Sequence, residues 1–207
     1  VAWGVALKVN ELGGKLVTIS GPDGYIYDAD GISGDKIEYM LEMRASGSNK
    51  AETYVEKYPN AVFHKGRSVW EVKVDIAIPC ATQNELNEED AKNLIANGVI
   101  CVTEAANMPC TLEAIKLFLK AKVLFAPGKA ANAGGVAASG LEMTQNSIRL
   151  NWTSEEVDSR LKDIMVGIHN QCKKYGVDED GYVNYVKGAN IAGFVKVADS
   201  MIDQGLV

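Results

Sequence analysis

The segment 128–145, GKAANAGGVAASGLEMTQ, has the residue types of an anion-binding corner. Its first half is too rich in glycine, alanine and asparagine to build a core, whereas its second half carries apolar residues at helical spacing. This pattern predicts a loop that turns into a helix at Gly134-Gly135, with unhindered backbone N–H groups beside the positive end of the helix dipole. An anionic ligand suits such a corner. A tight helix–helix crossing that needs small residues explains the composition equally well, and both interpretations stay open.

Strand-like apolar runs upstream of this segment predict the elements that position it. The runs lie at 74–80, 98–104 and 123–126, with helical patterns at about 88–97 and 111–121 between them. Continuous apolar strands that alternate with helices are typical of a parallel sheet covered on both faces. In open parallel sheets, ligands bind beyond the carboxyl ends of the strands.

Small and polar residues stand at those carboxyl ends. The three runs end in PCATQN (79–84), EAANMP (104–109) and APGK (126–129), and a short strand at 15–20 is followed by the turn GPDG (21–24). Such residues can hold a ribose and a carboxamide by hydrogen bonds. For any single loop, capping of the next helix is the better-supported interpretation. Three such loops in register favour a ligand site.

The remaining pattern predicts helices and a fold class. We expect an opening helix over 1–12, helical patterning over 34–58 that breaks near Gly47, and helices near 135–150, 154–175 and 189–204. No glycine-rich G-x-G-x-x-G turn precedes Val1, although a dinucleotide fold normally opens with one. The predicted fold is therefore α/β, a Rossmann-like, mostly parallel sheet that lacks its first strand, with helices on both faces and a helical carboxyl-terminal extension. We expect one nucleotide-binding domain over 1–207, truncated at its amino terminus, with a helical tail at about 153–207.

Composition excludes several function classes. The 207 residues are 47% hydrophobic and carry a net charge of −6 without a Lys/Arg run, which argues against nucleic acid or an anionic membrane as a partner. No apolar run is long enough to cross a bilayer and no leader opens the chain, so we expect a cytoplasmic protein. The four cysteines form no C-x-x-C pair, which predicts reduced, buried thiols and no metal site.

Several strings in order, with matching spacing, carry a resemblance that covers essentially the whole chain. The strings are VAWG (1–4), SGPDGYIYD (20–28), PCATQNEL (79–86), EAANMP (104–109), APGKAANAGGVAASGLEM (126–143) and GANIAGFVKVAD (188–199). With them, the sequence resembles the carboxyl-terminal, cofactor-binding half of the hexameric bacterial glutamate dehydrogenases.

The resemblance implies a reaction in which L-glutamate, water and NAD or NADP give 2-oxoglutarate, ammonium and reduced cofactor. It also implies a homohexamer for the full-length protein. The family's catalytic lysine and aspartate lie in the other half, so we assign no catalytic residue here and expect the isolated chain to be inactive.

The resemblance also implies roles for individual residues. In the cofactor site, Pro22 and Asp23 would face the adenosine ribose, and the segment of Ala81, Thr82 and Gln83 would line the nicotinamide side. Asn107 would meet the nicotinamide ribose, and Asn132 would lie near the carboxamide.

Two further residues would touch the substrate. Val136 and Ser139 would do so from the helix that follows the glycine pair, and Ser139 would donate to the side-chain carboxylate of glutamate.

Cofactor preference and substrate class leave alternatives. The carboxylate of Asp23 would repel a 2′-phosphate, which favours NAD over NADP, although Arg44 and Lys50 could offset it. A leucine- or phenylalanine-type dehydrogenase would be expected to have an apolar residue in place of Ser139. A non-catalytic nucleotide-sensing or protein-interaction module is the alternative outside the enzyme class.

Overall fold

A computed structural model describes residues 1–47 and 50–205. Their contacts group into an amino-terminal unit, Val1–Val72, and a carboxyl-terminal unit, Lys73–Val207. The single nucleotide-binding domain over 1–207 stays a prediction. Residues 48 and 49 of the predicted helical region, and residues 206 and 207 of the predicted tail, lie outside the described residues.

The amino-terminal unit combines helices with a small antiparallel sheet. Its strands pair in the order β1-β2-β3, and both pairs are antiparallel. The opening helix, the strand that precedes the GPDG turn and the helices on either side of Gly47 confirm the sequence predictions. The elements are α1 (Ala2–Glu11), β1 (Thr18–Gly21), β2 (Gly24–Tyr27), α2 (Asp35–Ala45), α3 (Tyr54–Lys57) and β3 (Val62–Lys65).

The antiparallel pairing corrects the expectation that the strand at 15–20 belongs to the parallel sheet. The tight turn after β1 reverses the chain at once, and a reversed chain pairs antiparallel, whereas a parallel partner needs a crossover of about a dozen residues or more. Gly24 has φ 144°, and a Cβ there would overlap the His64 carbonyl oxygen, so the hairpin requires glycine at this position. Neither β2 nor β3 was predicted, although Tyr-Ile-Tyr is a good strand former.

The buried carboxylate of Asp28 links the end of β2 to α2 and α3 through hydrogen bonds. Asp28 is 1% exposed and accepts hydrogen bonds from Lys36 Nζ at 2.7 Å and Tyr54 Oη at 2.8 Å. The Asp30 backbone N–H adds a bond of 3.0 Å to the same carboxylate. Burial alone would raise the pKa of Asp28, but the hydrogen bonds from Lys36 and Tyr54 outweigh it and hold the pKa below its ordinary value.

The carboxyl-terminal unit contains the predicted parallel sheet. Its strands pair in the order β4-β5-β6, and both pairs are parallel. This confirms the β-α-β alternation, and the three carboxyl-terminal helices occur where the periodicity predicts them. The elements are β4 (Ile76–Ala77), α4 (Glu88–Ala96), β5 (Cys101–Thr103), α5 (Leu112–Lys120), β6 (Leu124–Ala126), α6 (Gly128–Ala131), α7 (Ala133–Ile148), α8 (Ser154–Gly176) and α9 (Tyr185–Gln204).

One face of the parallel sheet is buried more completely than the other. Val102 and Phe125 are 0% exposed, and the Phe125 ring stacks on Phe118 of α5 with centroids 5.8 Å apart. Ile76 and Leu124 are 55% and 43% exposed. Because successive strand residues point to opposite faces, the sheet packs mainly through the face that carries Val102 and Phe125.

The two last helices pack at very close range. A Cβ on Gly188 of α9 would overlap the Cys172 carbonyl oxygen of α8, whereas a Cβ on Gly193 of the same helix would meet nothing within 4 Å. The backbones of α8 and α9 therefore approach each other at Gly188. In the described part of the chain, no helix is both long and apolar enough to cross a membrane.

We predict a pH-dependent effect of Asp28→Asn. Because the folded state lowers the pKa of Asp28, its ion pair stabilises the protein above the unfolded pKa, and this stability is lost as the pH falls through the folded pKa. The variant should lose about 3 kcal/mol of unfolding free energy at pH 7. Its stability should also fall less steeply than that of the wild type below about pH 5. Urea unfolding over a pH series measures both, Asp30→Asn at an exposed position is the control, and parallel acid limbs would contradict the prediction.

We also predict opposite effects for two glycine substitutions on α9. Gly188→Ala should destabilise the protein by about 1–3 kcal/mol or more, because the methyl group forces α8 and α9 apart. Gly193→Ala should stabilise it by about 0.5–1 kcal/mol, since alanine loses less entropy than glycine in a helix. Thermal unfolding of both variants tests the close approach, and equal shifts in Tm would refute it.

Candidate functional site

The loops that follow β4 and β5 are hydrogen-bonded to each other. The Ala105 N–H donates to the Pro79 carbonyl at 2.9 Å, and the Asn84 N–H donates to the Met108 carbonyl at 3.0 Å. The segments at the carboxyl ends of these neighbouring strands are thus joined through their backbones.

Glu104 connects the loop after β5 with α6. Its side chain is buried, at 4% exposure, and its two oxygens accept from two different segments. Oε2 accepts the N–H of Gly128, the first residue of α6, at 2.6 Å, and Oε1 accepts the N–H of Cys110 at 3.1 Å. Burial raises the pKa of the Cys110 thiol, and the negative charge of Glu104 raises it further.

Asn107 and Asn132, which lie on these two segments, form an amide pair. Asn132 Nδ2 donates to Asn107 Oδ1 and to the Ala106 carbonyl, each at 2.9 Å. These bonds use both hydrogens of the Asn132 amide, so Asn132 presents its Oδ1 as an acceptor. Asn107, whose Oδ1 is engaged, presents its Nδ2 as a donor, and its side chain is exposed.

The loop of Ala81, Thr82 and Gln83 is hydrogen-bonded to the carboxylate of Glu85, which follows it in the chain. Glu85 accepts the Ala81 N–H at 2.9 Å and also the N–H groups of Cys80 and Thr82. Burial raises the pKa of Glu85, and these hydrogen bonds only partly oppose that effect. The N–H groups of Cys80, Ala81 and Thr82 are therefore engaged. The side chains of Thr82 and Gln83 are exposed.

The helical corner differs from the prediction. Residues 128–131 already form α6, so the expected loop up to Gly134-Gly135 is wrong. The Gly135 N–H donates to the Asn132 carbonyl at 3.2 Å, and the Gly128 N–H binds Glu104. The alanines between Gly128 and Gly135 favour a helix, and Glu104 satisfies the Gly128 N–H, which is the first backbone donor of α6.

The alternative interpretation of the same corner, a tight helix crossing, does not hold at the glycine pair. A Cβ on Gly134 would lie 3.7 Å from the Met165 sulfur, an ordinary contact, and a Cβ on Gly135 would meet nothing within 4 Å. Val136 and Ser139 follow on α7, where Val136 is 77% exposed and Ser139 is also exposed.

Pro22 and Asp23 lie at the tip of the β1–β2 hairpin in the amino-terminal unit. Pro22 is exposed and Asp23 is half-buried. Asp23 Oδ1 is buried and has no hydrogen-bond partner among the described residues. A buried carboxylate oxygen without a donor is uncompensated in this structure.

The comparisons with known proteins show the family of the chain. Residues 1–205 match the Glutamate/Leucine/Phenylalanine/Valine dehydrogenase family. The chain belongs to this family. The NAD-specific glutamate dehydrogenase of Bacteroides fragilis (strain YCH46) is 64% identical over 207 residues, which make up 100% of this chain and 46% of that protein. The NADP-specific glutamate dehydrogenase of Haemophilus influenzae (strain ATCC 51907 / DSM 11121 / KW20 / Rd) is 53% identical over 200 residues, 96% of this chain and 44% of that protein.

A solved structure supports the same family fold. The glutamate dehydrogenase of Plasmodium falciparum matches 100% of this chain and 44% of its own chain, with 39% identity and a TM-score of 0.93. The chain spans about half the length of the curated relatives that it matches. The resemblance to the glutamate dehydrogenase family is thereby confirmed, together with an α/β fold that contains a parallel sheet.

The structure of this family member brings some predicted site residues together. Asn107 and Asn132 are in direct contact, and the segment of Ala81, Thr82 and Gln83 precedes Asn84, which is bonded to the Asn107 loop. Sequence reasoning missed Glu104 and Glu85. An acidic residue directly after a buried strand, as in GVICVTE (98–104), was the available signal for Glu104.

The structure also shows where the cysteines and other potential metal ligands lie. Within residues 1–47 and 50–205, no group of three or more His, Cys, Asp or Glu side chains is arranged to hold a metal ion. Cys110 and Cys172 are buried and free, and Cys80 and Cys101 are free and half-buried. Burial raises the pKa of the Cys80 and Cys172 thiols, which disfavours the reactive thiolate.

Proposed function

We propose that the chain is the cofactor-binding part of an NAD(P)-dependent glutamate dehydrogenase, which converts L-glutamate to 2-oxoglutarate and ammonium. The amide pair of Asn107 and Asn132, held at the carboxyl ends of the parallel strands, carries this proposal. The names of the relatives support it, since they are NAD-specific and NADP-specific glutamate dehydrogenases.

The amide pair suits the nicotinamide end of the cofactor. A carboxamide has one carbonyl acceptor and one NH₂ donor, and the pair offers a donor on Asn107 and an acceptor on Asn132. Asn107 would meet the nicotinamide ribose, Asn132 the carboxamide, and the side chains of Thr82 and Gln83 would line the same end with Ala81. When bound, the cofactor accepts the hydride from the substrate.

Substrate recognition is assigned to α7. Val136 and Ser139 lie within its first two turns, after Asn132, and both are exposed. A serine hydroxyl can donate to the side-chain carboxylate of glutamate, whereas an apolar substrate would leave that hydroxyl unpaired. Ser139 therefore favours glutamate over leucine or phenylalanine as the substrate.

Pro22 and Asp23 are proposed to face the adenosine ribose. The position of the Asp23 carboxylate in the turn directly after β1 supports this assignment, because an acidic residue there can accept from the ribose hydroxyls. The negative charge would oppose the 2′-phosphate of NADP, so NAD is the proposed cofactor. A homohexameric full-length protein and a cytoplasmic location complete the proposal.

Asp23→Ser tests the cofactor assignment. We expect the wild-type chain to bind NAD more tightly than NADP, and the variant to shift the ratio of the two affinities toward NADP by roughly tenfold, since one repulsive charge is removed. Calorimetric titrations with both cofactors measure the ratio. Asp30→Asn removes a charge from an exposed position nearby in sequence and should leave the ratio unchanged. An unaltered ratio in Asp23→Ser would exclude Asp23 from this role.

A complementation assay tests the proposed reaction. We expect the 207-residue chain alone to show no measurable glutamate oxidation, because the resemblance implies that the family's catalytic lysine and aspartate lie in the other half. Adding the amino-terminal half of a family relative should restore NAD reduction with glutamate but not with leucine. Restored turnover with leucine would favour the alternative dehydrogenase. Nucleotide binding without any restored turnover would favour the non-catalytic module.

A further inference from the structure

We infer that Glu104 is a positioning residue, whose buried carboxylate fixes Asn107 and Asn132 for recognition of the nicotinamide end of the cofactor. This inference rests on the proposed function, and it adds a residue that the sequence resemblance did not assign to the site.

Glu104 lies where the two segments of the amide pair meet. Its Oε2 accepts from Gly128 at 2.6 Å and its Oε1 accepts from Cys110 at 3.1 Å. Gly128 lies one helical turn before Asn132, whose N–H donates to the Gly128 carbonyl at 2.9 Å. Cys110 ends the loop that carries Asn107. Each carboxylate oxygen therefore holds one of the two segments.

The amide pair closes this arrangement into a ring of hydrogen bonds. Asn132 donates to Asn107 Oδ1 and to the Ala106 carbonyl. The two segments are therefore joined twice, once through the buried Glu104 carboxylate and once through the amide pair. If the bond to Gly128 is lost, α6 is free to shift, and the donor on Asn107 and the acceptor on Asn132 lose their relative placement. A displacement of about 1 Å at a positioning group is enough to weaken recognition strongly.

A carboxylate is required because both partners are donors. Glu104 is 4% exposed, so water does not readily replace a lost bond. A glutamine of the same shape has one carbonyl oxygen and one NH₂ group, and the NH₂ would face a backbone N–H. Either Gly128 or Cys110 would then lose its acceptor. Glu104→Gln thus breaks one side of the ring with little change in volume.

The test compares ligands with and without the nicotinamide end. NAD⁺ and ADP-ribose are titrated into the ¹⁵N-labelled 207-residue chain, its Glu104→Gln variant and the control Asp90→Asn, with binding followed by amide shifts. Asp90 is also a buried carboxylate, 7% exposed, which accepts the Asn87 N–H at the start of α4. We expect Glu104→Gln to weaken NAD⁺ about tenfold and ADP-ribose less than twofold. Asp90→Asn should change the ratio of the two affinities by less than twofold.

A double-mutant cycle tests whether Glu104 acts through the amide pair. Asn132→Ala removes one of the two positioned groups, so the double variant Glu104→Gln/Asn132→Ala should weaken NAD⁺ binding by less than the product of the two single effects. Chain folding is checked in the same spectra from the amides of Val102 and Phe125, and if Glu104→Gln does not fold, Glu104→Asp is used, since its shorter side chain cannot reach both segments.

The outcomes separate this inference from the proposed function. Equal weakening of NAD⁺ and ADP-ribose, additive effects in the cycle, or unchanged affinities would overturn the positioning role and leave the proposed function intact. If the wild-type chain binds NAD⁺ no more tightly than ADP-ribose, or binds neither ligand, the positioning role and the proposed function are both overturned.

Discussion

The hydrogen bonds of the Glu104 carboxylate are the constraint on which the candidate site depends. A buried carboxylate must be compensated by donors, and the two backbone N–H groups that compensate Glu104 belong to the segments after β5 and β6. Those segments carry Asn107 and Asn132. The same interaction satisfies the first donor of α6, so the helical corner and the amide pair share one electrostatic support.

The amino-terminal unit also has a buried carboxylate directly after a strand. Asp28 directly follows β2 as Glu104 directly follows β5, and both side chains are at most 4% exposed. The Asp28 carboxylate accepts hydrogen bonds from Lys36, Tyr54 and the Asp30 backbone N–H. A carboxylate at the end of a short strand can bind several donors, so it stabilises segments that the short sheets alone leave unconnected.

The residues of the candidate site divide into exposed groups and buried supports. Asn107, Thr82, Gln83 and Ser139 are exposed and present polar side chains, whereas Glu104 is buried and Glu85 is partly buried. The supports engage backbone N–H groups of the loops, and the exposed side-chain amides and hydroxyls are available to contact a ligand. Precise recognition needs this division, because an exposed polar group has a fixed direction only when the segment beneath it is rigid.

Local sequence patterns predicted most helices, the parallel strands and the residue types of the candidate site, but not β2, β3 or α6. Apolar runs between helical patterns predicted the parallel sheet, and the periodicity of α7, α8 and α9 placed these helices, because both signals are contained in short windows of the chain. The start of helix at Gly128 and the support of both amide-pair segments by Glu104 were visible only in the folded chain, because Glu104 and Gly128 are 24 positions apart. The antiparallel pairing of β1 with β2 is local, but the apolar run at 15–20 does not show the direction of its partner strand. A local sequence pattern does not show which distant N–H group donates to a buried carboxylate, because strand pairing in the folded chain brings the two together.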